Sequence, residues 1–319
     1  MLDLYRLRTL RAVARHGSIS AAAEALYLTA SAVSQQLGKL ERETGEQLLE
    51  RQGRGIRLTG AAELLVGHTE RILSLVEEAE ADLEAQRGMV HGDLTVGAFA
   101  TAARDLVPPT LRDLRKTYPA LRLGLREMEP DQALLSVGRG DLDVAIVVAW
   151  NNAPLAIPEQ LSREHLFDDQ ADLALPAAHP LAGRRSVDLE ELSDQDWISW
   201  SRGSICHDWL VQTLRNLGTE PCIAHTAMEH ATQLALVGAG LGAAVLPRLG
   251  RGPVPETIRI LRVRSPLVRQ IFVVWPRGST RRPAIAALID ALRVQVSVFG
   301  GKDPLQKRSL QGRVASNRS

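Results

Sequence analysis

Cys206 has the most reactive-looking surroundings in the chain. It stands in Arg202-Gly203-Ser204-Ile205-Cys206-His207-Asp208, at an expected helix start, where backbone N–H groups stabilise a thiolate. His207 is placed to help it. The second cysteine, Cys222, is sixteen residues on and is expected on another strand. Nothing nearer could resolve an oxidised sulfur. A partly buried structural cysteine is therefore the default, and redox response through Cys206 is an alternative. His225 and His230 could be metal ligands, but a spacing of five does not match a usual zinc pattern; a surface or cleft histidine fits better. Gly238-Ala239-Gly240-Leu241-Gly242 could be a dinucleotide loop only with a strand before it and a helix after it. Here an expected helix precedes and an apolar strand follows, as in a simple turn. No Gly-x-Ser-x-Gly elbow occurs, and no nucleophile–base or carboxylate pair stands out. The residues imply no enzyme, no metal and no cofactor.

A second group of polar residues suits recognition rather than catalysis. Apolar spacing predicts a helix over Leu4–His16, stopped by Gly17. Ser18 caps a helix over Ile19–Leu26, and Thr29 caps a third over Ala30–Thr44. Two helices joined so tightly form a helix-turn-helix. In the third, Val33, Leu37 and Leu40 face inward, and Ser31, Gln35, Gly38 and Arg42 lie opposite, with Ser34 and Lys39 on the flanks. A short polar face of this kind suits a major groove: glutamine pairs with adenine and serine with either base type. Lys39 and Arg42 lie nearer phosphates. An ordinary solvated helix face is the competing reading. The basic, turn-rich stretch 50–59 tips the balance, reading as a two-stranded wing with Arg54 at its tip. The candidate DNA contacts are Ser18, Thr29, Ser31, Ala32, Ser34, Gln35, Lys39, Arg51, Arg54 and Arg57.

Several separately spaced motifs now agree. Leu10-Arg11-Ala12-Val13-Ala14-Arg15-His16-Gly17-Ser18-Ile19-Ser20-Ala21-Ala22-Ala23-Glu24-Ala25-Leu26, Ala32-Val33-Ser34-Gln35-Gln36-Leu37, Leu40-Glu41 and Leu58-Thr59 resemble the winged helix-turn-helix of LysR-type transcriptional regulators. Leu49 stands where that family usually has Phe, and Ala62 where it usually has Gly. Neither falls on the reading helix. Further on, Gly140–Ile146, His179–Ala182 and Gly238–Pro247 resemble the family's effector domain, which is similar to periplasmic binding proteins. The resemblance covers about residues 2–298. Cys206 lies where the family's peroxide-responsive branch has its sensing cysteine.

The elements that must position these residues follow. Residues 60–87 contain no proline, and Leu65, Thr69, Ile72, Val76, Ala79 and Leu83 form a heptad seam. A lone helix cannot bury such a seam, so pairing with a second copy is expected, and the resemblance implies the same. A two-fold dimer implies an imperfect palindrome in the DNA. Gly88–Gly92 reads as a hinge. Strands and helices then alternate as β-α-β-α-β, followed by a second α/β lobe and a return to the first. The expected fold class is α+β multidomain: a winged helix-turn-helix (1–59), a linker helix (60–88), a two-lobed α/β effector domain (92–298; lobe I 92–165 and 267–298, lobe II 166–266) and a basic, disordered tail (299–319). Ligands of such folds bind between lobes, at strand ends and helix N-termini. By position this singles out Ala100, Thr101 and Ala102, Glu127, Val148 and Ala149, with Ser201, Arg202, His225 and Thr226 facing them. The resemblance implies an effector hydrogen bond at Thr101. It also places Pro130 where the family often has a polar side chain, so the usual carboxylate seat is missing. Glu127 and Glu129 favour a cationic or amino-bearing ligand.

Charge and composition bound the rest. The chain carries +1 overall, but residues 1–59 hold nine Lys/Arg against six Asp/Glu. A basic N-terminal segment on an acidic body points to a polyanion partner for that segment. At 45% hydrophobic and 24% charged, the chain matches globular rather than disordered composition. Apolar runs such as Val144–Trp150 fall far short of the ~20 residues of a membrane span. The first residues lack a signal-peptide pattern, so a cytoplasmic location is expected. Expected partners are double-stranded promoter DNA, a small-molecule effector and further copies of the chain as homodimer or homotetramer; RNA polymerase is a further candidate, and a membrane is not. The rival from another class is a solute-binding module without specific DNA recognition.

Overall fold

The computed structural model describes residues 1–52, 55–87 and 89–300. The expected wing tip, Arg54, and the expected disordered tail, from 301 on, lie outside the described residues. The chain divides into two compact units, Met1–Leu83 and Glu84–Ser319.

In the first unit, α1 (Leu4–His16) begins at Asp3, whose carboxylate accepts from the N–H groups of Tyr5 and Arg6. It ends at Gly17, whose φ of 69° is the left-handed conformation that favours glycine. Then follow α2 (Ile19–Ala25), one residue shorter than its sequence pattern suggests, and α3 (Ala30–Thr44). Strands β1 (Leu49–Gln52) and β2 (Gly55–Leu58) pair antiparallel as the wing. Glu41 secures the wing's start by accepting from Leu48 N at 2.9 Å. Leu7, Leu10, Val13, Val33, Leu37 and Leu40 form the centre of the apolar core.

The long helix α4 (Gly60–Arg87) departs from the expected seam. Leu65 and Ile72 turn inward onto the core of the first unit, and Thr69 is buried, donating to Leu65 O at 2.7 Å. The exposed large apolar residues are Leu64, Leu75 and Leu83. Self-burial of one helix face thus satisfies part of the seam and narrows the stripe left for a partner.

The second unit is built on one ten-stranded sheet. Lobe I holds β3 (Gly92–Ala98), α5 (Ala100–Asp105), α6 (Val107–Thr117), β4 (Leu121–Glu127), α7 (Pro130–Arg139) and β5 (Val144–Trp150). Strands β4, β3 and β5 run parallel. The chain then crosses on β6 (Leu161–Pro176). Lobe II carries β7 (Ser186–Val187), β8 (Asp196–Ser199), α8 (Ile205–Asn216), β9 (Cys222–Thr226), α9 (His230–Gly238), β10 (Ala243–Pro247) and β11 (Ile258–Val263). It returns on β12 (Leu267–Pro276) and closes with α10 (Pro283–Gly300) against lobe I. Strands β6 and β12 pair antiparallel and join the two lobes. Gly238–Gly242 is a helix-to-strand turn between α9 and β10, as its pattern suggests. Trp150, at the end of β5, stacks on Trp209 of α8 with ring centres 3.5 Å apart.

Candidate functional site

The N-terminal face is made by caps and by what the core leaves outside. Ser18 Oγ accepts from Ala21 N at 3.1 Å and starts α2. Thr29 Oγ1 accepts from Ala32 N at 3.2 Å and bonds Ser31 Oγ at 3.0 Å, starting α3. Each cap satisfies an N–H group that a helix start leaves open. Ser18 is half-buried and Ala32 gives its N–H to the Thr29 cap, so both take part in starting the helix pair. Burial of Val33, Leu37 and Leu40 turns Ser31, Ser34, Gln35 and Lys39 outward. Ser34 donates to Ala30 O at 3.0 Å and keeps its lone pairs. On the wing, Arg57 faces Glu50 across the strand pair and donates to its Oε2 at 3.3 Å. Its charge is therefore shared within the wing, which the sequence reading did not foresee. Arg51 lies on β1.

Between the two lobes of the second unit lies a cavity of about 80 Å³. Four helices begin at it: α5 at Ala100, α7 at Pro130, α8 at Ile205 and α9 at His230. Four of the sequence-derived residues line it, Ala100, Thr101, Glu127 and Val148. Six do not. Ala102 is fully buried in the lobe I core, two residues past the helix start. Ala149 belongs to the other face of β5, because side chains alternate along a strand. The turn 201–204 serves to cap α8 through Ser204. Ser201 and Arg202 consequently stay outside the cavity, Arg202 on a separate groove, while Trp200 and Cys206 take the cleft positions. His225 and Thr226 sit on the edge strand β9, and the chain reaches the cleft only at Met228, Glu229 and His230.

The deepest charged group is Arg269, which sequence reasoning missed because it is far in sequence from every other lining residue. It stands on β12 opposite Asp169 on β6 and is 2% exposed. Its Nε donates to Asp169 Oδ2 at 2.8 Å and its Nη2 to Thr101 Oγ1 at 2.8 Å. The guanidinium also lies over the Phe99 ring, 5.3 Å from its centre. Asp169 accepts in addition from Leu249 N at 3.1 Å. Burial pushes its carboxyl up, while Arg269 draws it down. At Gly250, φ is 72° and a Cβ would fall 2.6 Å from the Thr101 side chain; only glycine lets this loop pass so close to α5. Arg104 donates to Gly250 O at 2.9 Å.

His230 is almost fully buried at the cavity. Burial, then the charges of Arg269, Arg104 and Arg251, push its pKa down to about 3, so the ring is neutral at physiological pH. Its Nδ1 has no hydrogen-bond partner among the described residues. Burial, then Asp131 and Glu127, push the Glu129 carboxyl up. Cys206 also lines the cavity, but burial pushes its thiol up despite Arg269. His207 is not placed to activate it: its Nδ1 lies 3.1 Å from Ser199 Oγ and 3.2 Å from Trp200 O. Cys222 is exposed on the edge strand. Among the described residues, no group of three His, Cys, Asp or Glu could hold a metal, and no helix is long and apolar enough to cross a membrane.

Comparison with known proteins places this geometry. Residues 87–297 match the LysR substrate binding domain, and residues 4–63 match the bacterial regulatory helix-turn-helix protein, lysR family. The chain is 29% identical to the probable HTH-type transcriptional regulator LrrA of Synechococcus elongatus, over 92% of this chain and 97% of that one. It is 29% identical to the uncharacterized HTH-type transcriptional regulator YnfL of Escherichia coli, over 92% and 99%. Among solved structures, a cysteine-to-aspartate variant of full-length OxyR from Pseudomonas aeruginosa matches with a TM-score of 0.68 at 25% identity, covering 92% of this chain and 95% of that one. Full-length BenM matches in fold with a TM-score of 0.58 at 22% identity, over 95% and 100%. With both halves of the chain matched in this way, it belongs to the LysR-type transcriptional regulator family.

Proposed function

We propose that the protein binds an imperfectly palindromic promoter site as a homodimer or homotetramer, and that a small molecule in the interlobe cavity controls it. The observation that carries the DNA reading is α3: apolar burial of one face holds Ser31, Ser34, Gln35 and Lys39 outward behind a capped N-terminus. A helix so placed reads base edges with Ser and Gln and touches phosphates with Lys39. Leu64, Leu75 and Leu83 give α4 an exposed apolar stripe for a second copy. A ligand that prefers one lobe arrangement shifts the populations of the regulator and thereby its hold on DNA. RNA polymerase is a further partner in this reading, and the cytoplasm its location. Redox control through Cys206 is disfavoured by burial of the thiol and by His207's commitment to Ser199 and Trp200.

The test is footprinting of the full chain on the intergenic DNA upstream of its own gene, at a stated salt concentration. A protected palindrome is expected. Binding that is salt-sensitive and equal on all sequences favours the solute-binding rival.

A further inference from the structure

The cavity is lined by two charged poles that form no ion pair among the described residues, with Arg104 and Glu127 themselves exposed. At one, Arg104 makes a single hydrogen bond, to a carbonyl, Gly250 O, so no carboxylate among the described residues cancels its charge. It lies close enough to His230 to lower that ring's basicity. His230 is 3% exposed, has an unpartnered Nδ1 and opens α9, whose N-cap residue, Glu229, makes no capping bond. Unsatisfied N–H groups and an unpartnered buried ring nitrogen are a cost that a ligand oxygen relieves. Arg269 is less available, being committed to Asp169 and Thr101.

At the other pole, Glu127 and Glu129 follow β4, and the charges felt by Glu129 are those of Asp131 and Glu127, not of Arg104. Neither glutamate has a cationic partner among the described residues. Phe99, Trp200 and Met228 supply apolar lining to the same cavity. The space, about 80 Å³, admits roughly half a dozen water-sized groups.

We propose that the cavity takes a small zwitterion, a carboxylate and an ammonium joined by a short carbon skeleton. The carboxylate meets Arg104 and the start of α9, and the ammonium meets Glu127 and Glu129. A bare acid engages Arg104 and His230 alone and a bare amine the glutamates alone, whereas a zwitterion engages both poles at once. The proposal rests on the reading of this cavity as the effector site and goes on to name what enters it.

Full-length protein is titrated by calorimetry, with intrinsic tryptophan fluorescence as a second readout, since Trp200 lines the cavity. The probes are L-alanine, L-valine and γ-aminobutyrate, each beside its matched acid (propionate, isovalerate, butyrate) and its matched amine (ethylamine, isobutylamine, propylamine). At least one zwitterion is expected to bind tenfold or more tightly than both of its truncated partners. Arg104→Gln and Glu129→Gln each weaken that zwitterion about ten- to a hundredfold, Arg104→Gln without weakening the amine and Glu129→Gln without weakening the acid. An acid that binds as tightly as its amino acid, wild-type affinity in either variant, or no zwitterion bound at all overturns the proposal. Ala100→Phe fills the cavity, and Met228→Trp replaces it if that variant does not fold. An acid that binds alone and is lost on filling removes the zwitterion and keeps the effector site. Binding that survives filling removes the site itself. If nothing in the panel binds, the zwitterion falls and the effector site is judged by footprinting.

Discussion

The two units solve the problem of buried polarity in opposite ways. In the first, the buried polar residues are Thr9 and Thr69, and each returns its hydroxyl to a carbonyl four residues earlier in its own helix. No ionisable side chain is buried there among the described residues. In the second, Asp169, Asp172, His207, His230 and Arg269 are all buried. Asp172 is held by Arg248 and Arg251, with Nη2 of Arg251 2.7 Å from its Oδ2. Under the proposed function, the difference follows what each unit faces. A reading helix needs polar groups on the outside of an apolar body, since its ligand arrives with its own water and charge. A cleft that closes on a ligand must carry its polar groups inward, and each then has to be paired or left for the ligand.

The largest test of this contrast is Arg269→Ala. It strands Asp169 in the interior, with an expected loss of about 3–5 kcal/mol, read as a drop in the unfolding free energy of the second unit in denaturant. Arg269→Met with Asp169→Leu recovers most of it, because the charge and its countercharge leave together. The matching change in the first unit, Arg6→Ala, breaks the ion pair with Glu43 near the surface and costs about 1 kcal/mol or less. Equal costs for the two single variants break the contrast.

The next effect lies on the outward face of the first unit. Gln35→Ala is expected to weaken binding to the protected site by about 1–3 kcal/mol and to leave nonspecific binding nearly unchanged. Competition footprinting with specific and random duplexes separates the two. Equal losses on both demote Gln35 to a positioning role and leave base readout to Ser31 and Ser34.

The same division explains what the sequence disclosed. The caps at Ser18 and Thr29, the stop at Gly17 and the apolar run Val33, Leu37, Leu40 are local signals, and α1 and α3 match their predicted ends. In the second unit the alternation of strands and helices in lobe I was equally legible, because Leu94, Leu121 and Val144 open well-separated apolar runs. The crossing strand β6 was not: it carries Arg163, Glu164, His165, Asp168 and Asp169, a charged run without strand alternation that β12 pairs with Phe272 and Arg269. Strand β11 was missed for a similar reason, its partner β6 lying some eighty residues earlier. The cavity residues Arg104, Arg269 and His230 are brought together by folding alone, and no spacing announces them. At Ala102 and Ala149 the sequence reading named the neighbour of a lining residue, Thr101 or Val148, and a single step along a strand or helix changes the face; His225 lies three residues before Met228, where the chain reaches the cavity.

A pH titration of the two unfolding transitions sharpens the contrast further. His230 protonates near 6.5 in the unfolded chain and at about 3 in the folded one. Below pH 6.5 the unfolded chain takes up a proton that the folded chain refuses. Stability is therefore full above pH 6.5 and declines as pH falls toward 3, by up to ~1.4 kcal/mol per pH unit. Burial alone would raise Asp172, but Arg248 and Arg251 hold it below 3.8; its contribution is lost only as pH falls past that range. Glu129, raised by burial, acts with the opposite sign above 4.5. The difference curve between wild type and His230→Asn isolates the histidine between pH 6 and 4. It is expected to slope in the transition of the second unit and to be flat in that of the first. A slope unchanged by His230→Asn shows that the ring is not the buried neutral group.

The smallest effect concerns the turn between α2 and α3. Tyr27 is the non-glycine residue with positive φ among those described, at 54°, and it is 97% exposed. A bulky side chain in the left-handed region costs free energy, and here its ring finds no packing to offset it. Tyr27→Asn suits that conformation better and is expected to stabilise the first unit by about 0.5–1 kcal/mol, a rise of roughly 4 °C in melting temperature for a unit of this size. Tyr27 comes two residues before the Thr29 cap of the reading helix. Measuring DNA affinity on the same variant therefore divides two roles. Higher stability with unchanged affinity marks Tyr27 as strain tolerated at a turn. Higher stability with weaker binding means that the strain is retained because the ring touches the duplex, which would extend the outward-facing logic of this unit from α3 to the turn that precedes it.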